Sequence, residues 1–445
     1  MAEIRPFRGY RFNTSRVAAA EVTTQPYDKI TPAMQERYYS ASPFNFISIE
    51  KGRALPGDSA ENNVYTRAAA KLEEWIASGI LVRDAAPAIY VYAQDFTVPG
   101  TNTRRVRRGF IALSRIEDFE AGVVFRHEKT LAAPKADRLE LLRYAQAQTG
   151  LLFMIYDDAS RQIDSMLDAI GHTPPVVELE DEYKVVHRLW TATDAGSTRR
   201  ITDAMAAQKL IIADGHHRYE TALTFRDECR ALAGTENRNA PYEFAMMALF
   251  NTHSAGLTIL ATHRVVRNVP DFDFQKFRSQ AAKYFDWYGY PFASEAERPG
   301  AYGDFGRDLE KQRQRHAIGV YAGGPAFYLF VLRKNTDLAQ ILPDVSEAQR
   351  ELDVVLLHRL LIERCLGITA QAVVAEQYIS YEREAAAGIA AVDRKEAQLV
   401  FLLNPVRVQQ VVKIALGGDV LPQKSTDFYP KLLSGLVIYR VNADE

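Results

Sequence analysis

The chain has 445 residues, 47% of them hydrophobic and 25% charged, and its formal net charge is −2. These values are typical of globular proteins with a substantial core, and the length predicts two or three domains. The balance of charges argues against a protein that coats nucleic acid, so a nucleic-acid partner is not expected.

Two cysteines argue against a disulfide framework. The start of the chain carries no apolar signal-like segment, and no apolar run approaches the roughly 20 residues that cross a bilayer. We therefore expect a cytoplasmic protein without membrane contact, and leave open whether it forms a homo-oligomer.

The first part of the chain predicts both helices and strands. Apolar residues recur at helical spacing over residues 63–79. Residues 88–98 and 104–116 predict paired strands, and the basic run "RRVRR" in the second favours a solvated edge. Residues 136–150 predict a helix that begins at an acidic cap, Asp137.

Further along, apolar runs at 151–158 and 209–215 predict buried strands, and residues 218–234 predict a helix. Residues 317–332 read as a hairpin around Gly323 and Gly324. The mixture predicts an α+β or mixed α/β fold. The four predicted segments are an N-terminal α+β region (1–150), a central core (151–268), a small α+β insertion (269–345) and a C-terminal α/β region that completes the site (346–445).

The turn "ADGHHRYE" concentrates polar side chains between a predicted strand and a predicted helix. Gly215 permits a tight bend, and the first N–H groups of a helix attract anions. Arg218 adds a forked donor that suits phosphate oxygens, while His216 and His217 can donate to phosphate or shuttle protons. Asp214 has three open roles: it orients a histidine, holds Mg²⁺, or acts as a base.

Two other interpretations of this turn are open. Adjacent histidines suit a metal site poorly, because neighbouring helical side chains diverge and no HExxH spacing is present. The simplest alternative is an acidic helix cap followed by solvated histidines. An anion or nucleotide site is the interpretation we favour, and the metal ligands stay unknown.

The stretch "IIADGHHRYETAL" resembles the DGHHR signature of the ParB/sulfiredoxin superfamily, and within it that of the free-serine kinase. Over most of its length the chain is similar to a bacterial and archaeal family of unknown function, numbered DUF1015. The matching segments are "RPFRGYRF", "QPYDKI", "HEKT", "DRLELL", "IADGHHRYETAL", "LDVVLLHRLL" and "KSTDFYPKLLSGL".

The resemblance implies a ParB/sulfiredoxin-like core that binds a nucleotide, ATP or ADP, with Mg²⁺. It implies phosphoryl transfer between that nucleotide and free serine or a similar hydroxyl compound, in either direction. By analogy Gly215, His216, His217 and Arg218 hold phosphates, and Asp214 lies beside the transferred group. The separate acidic base is assigned to Asp28 of "QPYDKI", with Glu50 as the alternative; Thr24 and Gln25 depart from the family pattern just before Asp28.

Two other segments are predicted to bind the substrate. "FRHEKT" supplies His127, Glu128 and Thr130 to a polyanion or Mg²⁺ pocket, the alternative being a surface loop before a capped helix. The Lys-Ser-Thr trio of "QKSTDFYPKLLSGL" supplies one charge and two hydroxyls, but the segment lacks the upstream glycines of a P-loop, and an ordinary polar loop is the alternative. Its predicted substrate-binding residues are Lys424, Ser425 and Thr426; Lys431 belongs to the same segment.

Four functions compete, one of which is a non-catalytic binding protein for a small acidic metabolite. The favoured one is a small-molecule kinase that phosphorylates serine. A phosphoserine phosphatase-like hydrolase would use the same anion site without a nucleotide. A ParB-like nucleotide-binding regulator without catalysis would need a DNA-binding motif, which we do not find. Asn251 and His253 are weaker candidates for the pocket, and His358 is predicted to be a core histidine.

Overall fold

The computed structural model describes residues 2–128, 132–234 and 237–442, and these residues form two compact units. The first unit comprises residues 2–126, 132–258 and 430–442, and the second comprises residues 127–128 and 259–429. The boundary predicted at residue 150 therefore falls inside the first unit, and the one at residue 345 falls inside the second.

Up to residue 258 the chain alternates between short strands and helices. The helices are α1 (Ala19–Val22), α2 (Pro32–Ala41), α3 (Ile47–Glu50), α4 (Val64–Ala77), α5 (Ala132–Ala145), α6 (Gln162–Ile170), α7 (Ala195–Met205) and α8 (His216–Ala233). The strands are β1 (Ile4–Arg5), β2 (Tyr10–Phe12), β3 (Leu81–Arg83), β4 (Ile89–Thr97), β5 (Arg104–Arg115), β6 (Val124–Phe125), β7 (Ala147–Gln148), β8 (Leu152–Tyr156), β9 (Val177–Glu180), β10 (Val186–Ala192), β11 (Leu210–Asp214) and β12 (Phe244–Asn251).

The remainder of the chain has the same mixed character. Its strands are β13 (Thr258–Leu260), β14 (His263–Val266), β15 (Phe285–Pro291), β16 (Ala317–Tyr321), β17 (Ala326–Leu332), β18 (Ile379–Glu382), β19 (Leu399–Leu403), β20 (Asp427–Tyr429) and β21 (Tyr439–Arg440). Its helices are α9 (Phe274–Ala281), α10 (Arg298–Lys311), α11 (Leu338–Ile341), α12 (Glu347–Arg350), α13 (Asp353–Leu356) with a π-helical continuation (Leu357–Cys365), α14 (Ala370–Val374), α15 (Ala385–Asp393) and α16 (Val408–Leu416).

The first unit is built on a mixed sheet with the strand order β6-β11-β8-β12-β5-β4-β10-β9, and β1 also pairs with β5. β12 runs parallel to β8 and antiparallel to β5, so the predicted N-terminal and central segments share one sheet. The apolar face of α8 packs on this sheet through Tyr219 and Ala222, beside residues of α6 and α7. The mixed α/β fold class is confirmed.

The second unit contains a six-stranded sheet with the order β15-β17-β16-β19-β14-β18. Helices α10 and α15 pack on this sheet, and their residues Phe305, Leu309 and Ile389 share one core cluster with apolar side chains of β17 and β19. The predicted hairpin is confirmed: β16 and β17 pair antiparallel, and Gly323 and Gly324 in the turn both have positive φ.

Several predicted elements of the first unit are confirmed and two are wrong. α4 and the β4–β5 pair form as predicted. The helix predicted to begin at Asp137 begins at Ala132 instead, so Asp137 lies within α5 and is not its cap. The predicted solvated edge is wrong at Arg107, whose side chain is fully buried, although Arg104 and Val106 of the basic run are exposed; the run pairs with β4, and β12 pairs only with residues 110–115 of β5.

The chain returns to the first unit after residue 429. β21 pairs with β7, and isolated bridges join Ile438 to Tyr10 and Ser434 to Thr24. This return brings the "KLLSGL" segment beside the N-terminal residues. In the described part of the chain, every helix is too short or too polar to cross a membrane.

Candidate functional site

Asp214 ends β11 at a register irregularity of the sheet. The pairing with β8 shifts between Ile212 and Asp214, and such a bulge re-aims the side chain that follows it. Asp214 Oδ1 accepts a hydrogen bond from the Gly215 N–H, and Oδ2 lies 3.2 Å from Lys431 Nζ. Burial raises the pKa of Asp214, but the nearby charges of Lys431, Arg218 and Lys29 outweigh this and hold its pKa well below the ordinary range. The carboxylate is therefore ionised at neutral pH.

Gly215 makes the turn from strand to helix. Its φ of +96° lies in the left-handed region that favours glycine, and no side chain caps α8 at this residue. His216 is buried at the first position of the helix, and His217 is half-buried beside it. The first residue of an 18-residue helix, His216, thus lies two positions after the ionised Asp214.

Arg218 lies between two glycines that leave room for its guanidinium. A Cβ at Gly215 would lie 3.1 Å from Arg218 Nε, and one at Gly150 would lie 3.1 Å from Nη1. Nη1 donates to the Leu151 carbonyl, whereas Nη2 lies 4.0 Å from Asp214 Oδ2. Among the described residues, Nε and Nη2 have no hydrogen-bond acceptor, so two donors of the fork are available to a ligand.

The "QPYDKI" segment lies close to this turn. Asp28 belongs to a 3₁₀ turn, Tyr27–Lys29, and its side chain is exposed. Burial raises the pKa of Tyr27, with the charges of Arg218 and Arg138 acting in the opposite direction. The charge of Lys29 in turn lowers the pKa of Asp214. Tyr27 and Lys29, the two neighbours of Asp28, therefore both interact electrostatically with residues of the turn.

Glu50, at the end of α3, is a second acidic residue near Arg218. Its side chain is 1% exposed; Oε1 accepts a hydrogen bond from Ser434 Oγ, while Oε2 has no hydrogen-bond partner in the described structure. Oε1 lies 3.5 Å from the position of a Cβ on Gly150, which is also next to Arg218. A buried carboxylate oxygen without a hydrogen-bond partner is costly in such a place, which points to a ligand.

A small cavity lies beside Glu50. Its volume is about 50 Å³, and Glu50, Arg138, Gly150 and Arg218 are among its lining residues. Arg138 Nη1 also donates to the main-chain carbonyl of Glu50 at 2.8 Å. The cavity holds a few atoms at most, so it suits a water or one end of a small molecule and not a whole nucleotide.

The substrate-binding residues predicted from the other two segments lie in the second unit. His127 is buried, and its Nε2 lies 2.9 Å from Thr426 Oγ1, which in turn donates to Glu128 Oε1 at 3.3 Å. Lys424 is exposed with a positive φ, and Ser425 Oγ donates to the Pro422 carbonyl. Thr130 lies outside the described residues.

The structure thus separates the predicted site residues into two groups. Asp28, Asp214, Gly215, His216, His217 and Arg218 belong to the first unit, whereas His127, Glu128, Lys424, Ser425 and Thr426 belong to the second. The pairing of Asp214 with Lys431 was not predicted, although the segment that contains Lys431 was singled out.

The weaker candidates, Asn251 and His253, lie at the other end of β8 from the turn. Asn251 pairs with Tyr156 at the end of β8, whereas Asp214 pairs with Phe153 near its start. Asn251 is fully buried and hydrogen-bonded to the backbone of Asp158, as a structural amide would be. His253 contacts Asp157 at the same end of the strand.

His358 lies in the second unit, where its Nε2 accepts a hydrogen bond from Arg264. Burial, followed by the charge of Arg264, lowers the pKa of His358 to about 3. A neutral, hydrogen-bonded imidazole of this kind agrees with its prediction as a core histidine.

In the described part of the chain, the acidic, His and Cys side chains offer no preformed metal site. Within the described ranges, three or more of them do not converge in a group that could hold an ion. Such a result leaves open a metal bound chiefly by a substrate's phosphates, which is how Mg²⁺ is commonly held.

Comparison with known proteins gives a family and distant structural likenesses. No curated protein matches the chain. A similar solved structure is a conserved hypothetical protein from Pyrococcus furiosus, which is 11% identical over 69% of this chain and 87% of that chain, with a TM-score of 0.31. A free serine kinase in complex with AMP is 11% identical over 69% of this chain and 83% of that chain, with a TM-score of 0.32. C-terminally truncated SbnI from Staphylococcus aureus is 11% identical over 75% of this chain and 90% of that chain, with a TM-score of 0.35. No activity follows from likenesses this distant. The family model described as "Protein of unknown function (DUF1015)" matches residues 4–355, and the chain therefore belongs to that family.

Proposed function

We propose that the first unit binds the phosphates of ATP or ADP at the N-terminus of α8. It would transfer a phosphoryl group between that nucleotide and a small hydroxyl compound such as serine. The supporting observation is that a helix start with unused Arg218 donors lies beside a buried carboxylate, Glu50, that has an unpartnered oxygen. Phosphoryl transfer depends mainly on positioning and charge stabilisation, and these groups supply both.

Each group has a distinct role in this proposal. The fork of Arg218 and the first turn of α8 bind phosphate oxygens, because both present N–H donors and positive potential. Lys431 neutralises Asp214, which keeps that carboxylate from repelling the phosphates. His217 donates a hydrogen bond to the bound phosphate.

The base is the group that accepts the proton of the attacking hydroxyl. Glu50 suits this role better than Asp28, because Glu50 is buried at a cavity that admits only a few atoms, whereas Asp28 is exposed. A buried carboxylate with one free oxygen can receive a proton without competing with bulk water. We therefore propose Glu50 as the base and retain Asp28 as the alternative.

Mg²⁺ fits this arrangement only as an ion held largely by the nucleotide. Its ligands would be phosphate oxygens and waters, since Asp214 is already paired with Lys431. The ion would neutralise charge on the phosphates. Activity in the presence of EDTA, compared with activity after Mg²⁺ is added back, tests this part.

The test of the function is turnover by the purified full-length protein. Serine with ATP, serine with ADP, and phosphoserine alone are incubated separately, and serine and phosphoserine are measured by mass spectrometry. Nucleotide-dependent phosphoserine formation supports the proposal, and phosphoserine loss without nucleotide indicates the phosphatase instead. Absence of turnover in all three reactions by folded protein would contradict both.

The variant Arg218→Ala tests whether the nucleotide binds at this site. We expect it to weaken nucleotide binding by about 1.5–3 kcal/mol, the usual contribution of a hydrogen bond to a charged group. Arg143→Ala is the matched control, because Arg143 makes an ion pair with Glu228 elsewhere in the first unit. Equal affinities of the two variants would remove Arg218 from the site.

A further inference from the structure

Arg107 is the least expected charged residue of the first unit. It lies on an interior strand, β5, its side chain is fully buried, and its guanidinium lies 4.6 and 4.9 Å from the ring centroids of Phe153 and Phe250. Burial lowers the pKa of Arg107 to about 9, with Tyr92 and Asp214 acting in the opposite direction. A cation this deeply buried needs specific acceptors, and those acceptors indicate its role.

The acceptors of Arg107 lead directly to the segment that carries Lys431. Arg107 Nη2 donates to the Pro430 carbonyl at 2.5 Å, and Nε donates to Gln94 Oε1 at 3.0 Å. Gln94 is the residue opposite Arg107 in the β4–β5 pair, and its Nε2 donates to the Lys431 carbonyl at 2.8 Å. Two facing side chains of one strand pair therefore hold two consecutive carbonyls of a segment more than 300 positions away in the chain.

Tyr92 extends this contact along the same segment. It lies two residues before Gln94 on β4, and its hydroxyl is hydrogen-bonded by the backbone of Leu433. The hydroxyl also lies 2.7 Å from Nδ1 of the buried His187, whose Nε2 lies 3.1 Å from Asp181. The polar groups that hold the segment are thus themselves fixed in the core.

We propose that Arg107 and Gln94 are positioning residues that fix the backbone at Lys431, so that its ammonium is held against Asp214 beside the phosphate-binding turn. The Lys431 side chain is 9% exposed, and its Nζ lies 3.2 Å from Asp214 Oδ2. A restrained backbone limits the positions that a lysine ammonium can reach, so the ion pair is set before any ligand arrives. The catalytic meaning of this arrangement rests on the proposed function, whereas the restraint itself does not.

The restraint is tested by the chemical reactivity of Lys431. An ammonium paired with a carboxylate reacts slowly with acetic anhydride, because only the free amine is nucleophilic. Gln94→Met removes all three hydrogen bonds of Gln94, two from Arg107 and one to the Lys431 carbonyl, while keeping a side chain of similar size. It also avoids the loss of a buried cation that Arg107→Met would cause. Acetylation rates of individual lysines are followed by mass spectrometry at pH 8, with exposed Lys334 as internal reference.

We expect Gln94→Met to raise the Lys431 rate relative to Lys334 by about tenfold, which corresponds to about 1.4 kcal/mol of lost ion-pair stabilisation. Gln398→Met is the matched control, because the Gln398 side chain is likewise hydrogen-bonded to a distant part of the backbone, the N–H and carbonyl of Val269 in the second unit. The control should leave the Lys431 rate unchanged. An unchanged rate in folded Gln94→Met, or an equal rise in the control, would overturn the proposal.

Turnover is measured on the same samples, so the two proposals can fail independently. If the wild-type protein shows no turnover but Lys431 is exposed by Gln94→Met, the restraint stands and the proposed function fails. If the wild-type protein is active and Gln94→Met changes neither Lys431 reactivity nor kcat, the restraint fails and the function stands. Arg107→Lys, which keeps a donor and a charge, should give a smaller rise in Lys431 reactivity than Gln94→Met gives.

Discussion

The ammonium of Lys431 lies 3.2 Å from the carboxylate of Asp214, although 217 positions separate the two residues in the chain. The pair ties the end of β11 to the segment that returns to the first unit after residue 429. Because Asp214 keeps 26% of its side chain exposed and Lys431 only 9%, the pair is neither fully buried nor a surface contact.

A double-mutant cycle measures the strength of this pair. Asp214→Asn, Lys431→Met and the double variant should give a coupling of about 2 kcal/mol at pH 7, below the 3–5 kcal/mol cost of breaking a fully buried pair. The lowered pKa of Asp214 means that this stabilisation is complete above the ordinary Asp pKa of about 3.9 and declines as the pH falls below it. Urea unfolding at several pH values checks both points; additive single-variant effects at pH 7 would contradict the pair.

Substituting the two acidic candidates decides which one is the base. Glu50→Gln should reduce kcat by about 10²–10⁴-fold, the usual contribution of a general base. It should cost little stability, because a neutral amide replaces a buried carboxylate that has an unpartnered oxygen. Asp28→Asn, at an exposed position, should retain most of the activity. The reverse order of the two kcat values would assign the base to Asp28.

Gly215→Ala has two expected effects, backbone strain and displacement of the Arg218 guanidinium, and a second alanine variant distinguishes them. A Cβ at Gly215 would lie 3.1 Å from the Arg218 guanidinium, whereas one at Gly57, with nearly the same φ of +98°, would meet no atom within 4 Å. Both alanine variants should lose about 1 kcal/mol of stability from strain. Only Gly215→Ala should also weaken nucleotide binding, because the guanidinium must move. Isothermal titration calorimetry with ADP, alongside unfolding curves, compares them, and equal affinities would show that the turn tolerates the shift.

Two histidines make the second unit sensitive to acid: His263, which is buried, and His358, which is half-buried. Burial is the first cause that lowers the pKa of His263 to about 4 and that of His358 to about 3, and the charge of Arg264 adds to both. Below the ordinary His pKa of about 6.5 the unfolded state takes up protons that the folded state does not, so stability is lost as the pH falls. At pH 5 the loss is about 2 kcal/mol per histidine.

The variant His358→Gln tests this origin of the acid sensitivity. Between pH 7 and pH 5 it should lose about 2 kcal/mol less stability than the wild-type protein. His172→Gln is the control, since His172 is exposed. Equal pH dependence of His358→Gln and the wild-type protein, measured by urea unfolding, would mean that His358 already titrates normally in the folded state.

Local signals in the sequence were sufficient for the strand, turn and helix around Asp214. Each signal there involves residues that are neighbours in sequence. A short apolar run predicts β11, Gly215 predicts the turn, and the amphipathic segment after it predicts α8. The start of α5 was misjudged, because Asp137 resembles a cap in sequence but lies within the helix.

Contacts between distant segments could not be read in the same way. Lys431 and Lys424 lie in one motif and look equivalent, yet they belong to different units, since the chain crosses from one to the other at residue 430. Arg107 was misjudged because a basic residue in an alternating pattern usually faces solvent, and its carbonyl acceptor on Pro430 is supplied by tertiary structure alone.

The most direct test of the central claim is a crystal structure of the full-length protein with ADP. We expect the phosphates to lie within hydrogen-bond distance of the first N–H groups of α8 and of Arg218 Nε or Nη2. We also expect the Lys431–Asp214 pair to be in place beside them. ADP bound elsewhere on the protein, with the turn of Gly215 unoccupied at millimolar nucleotide, would contradict it.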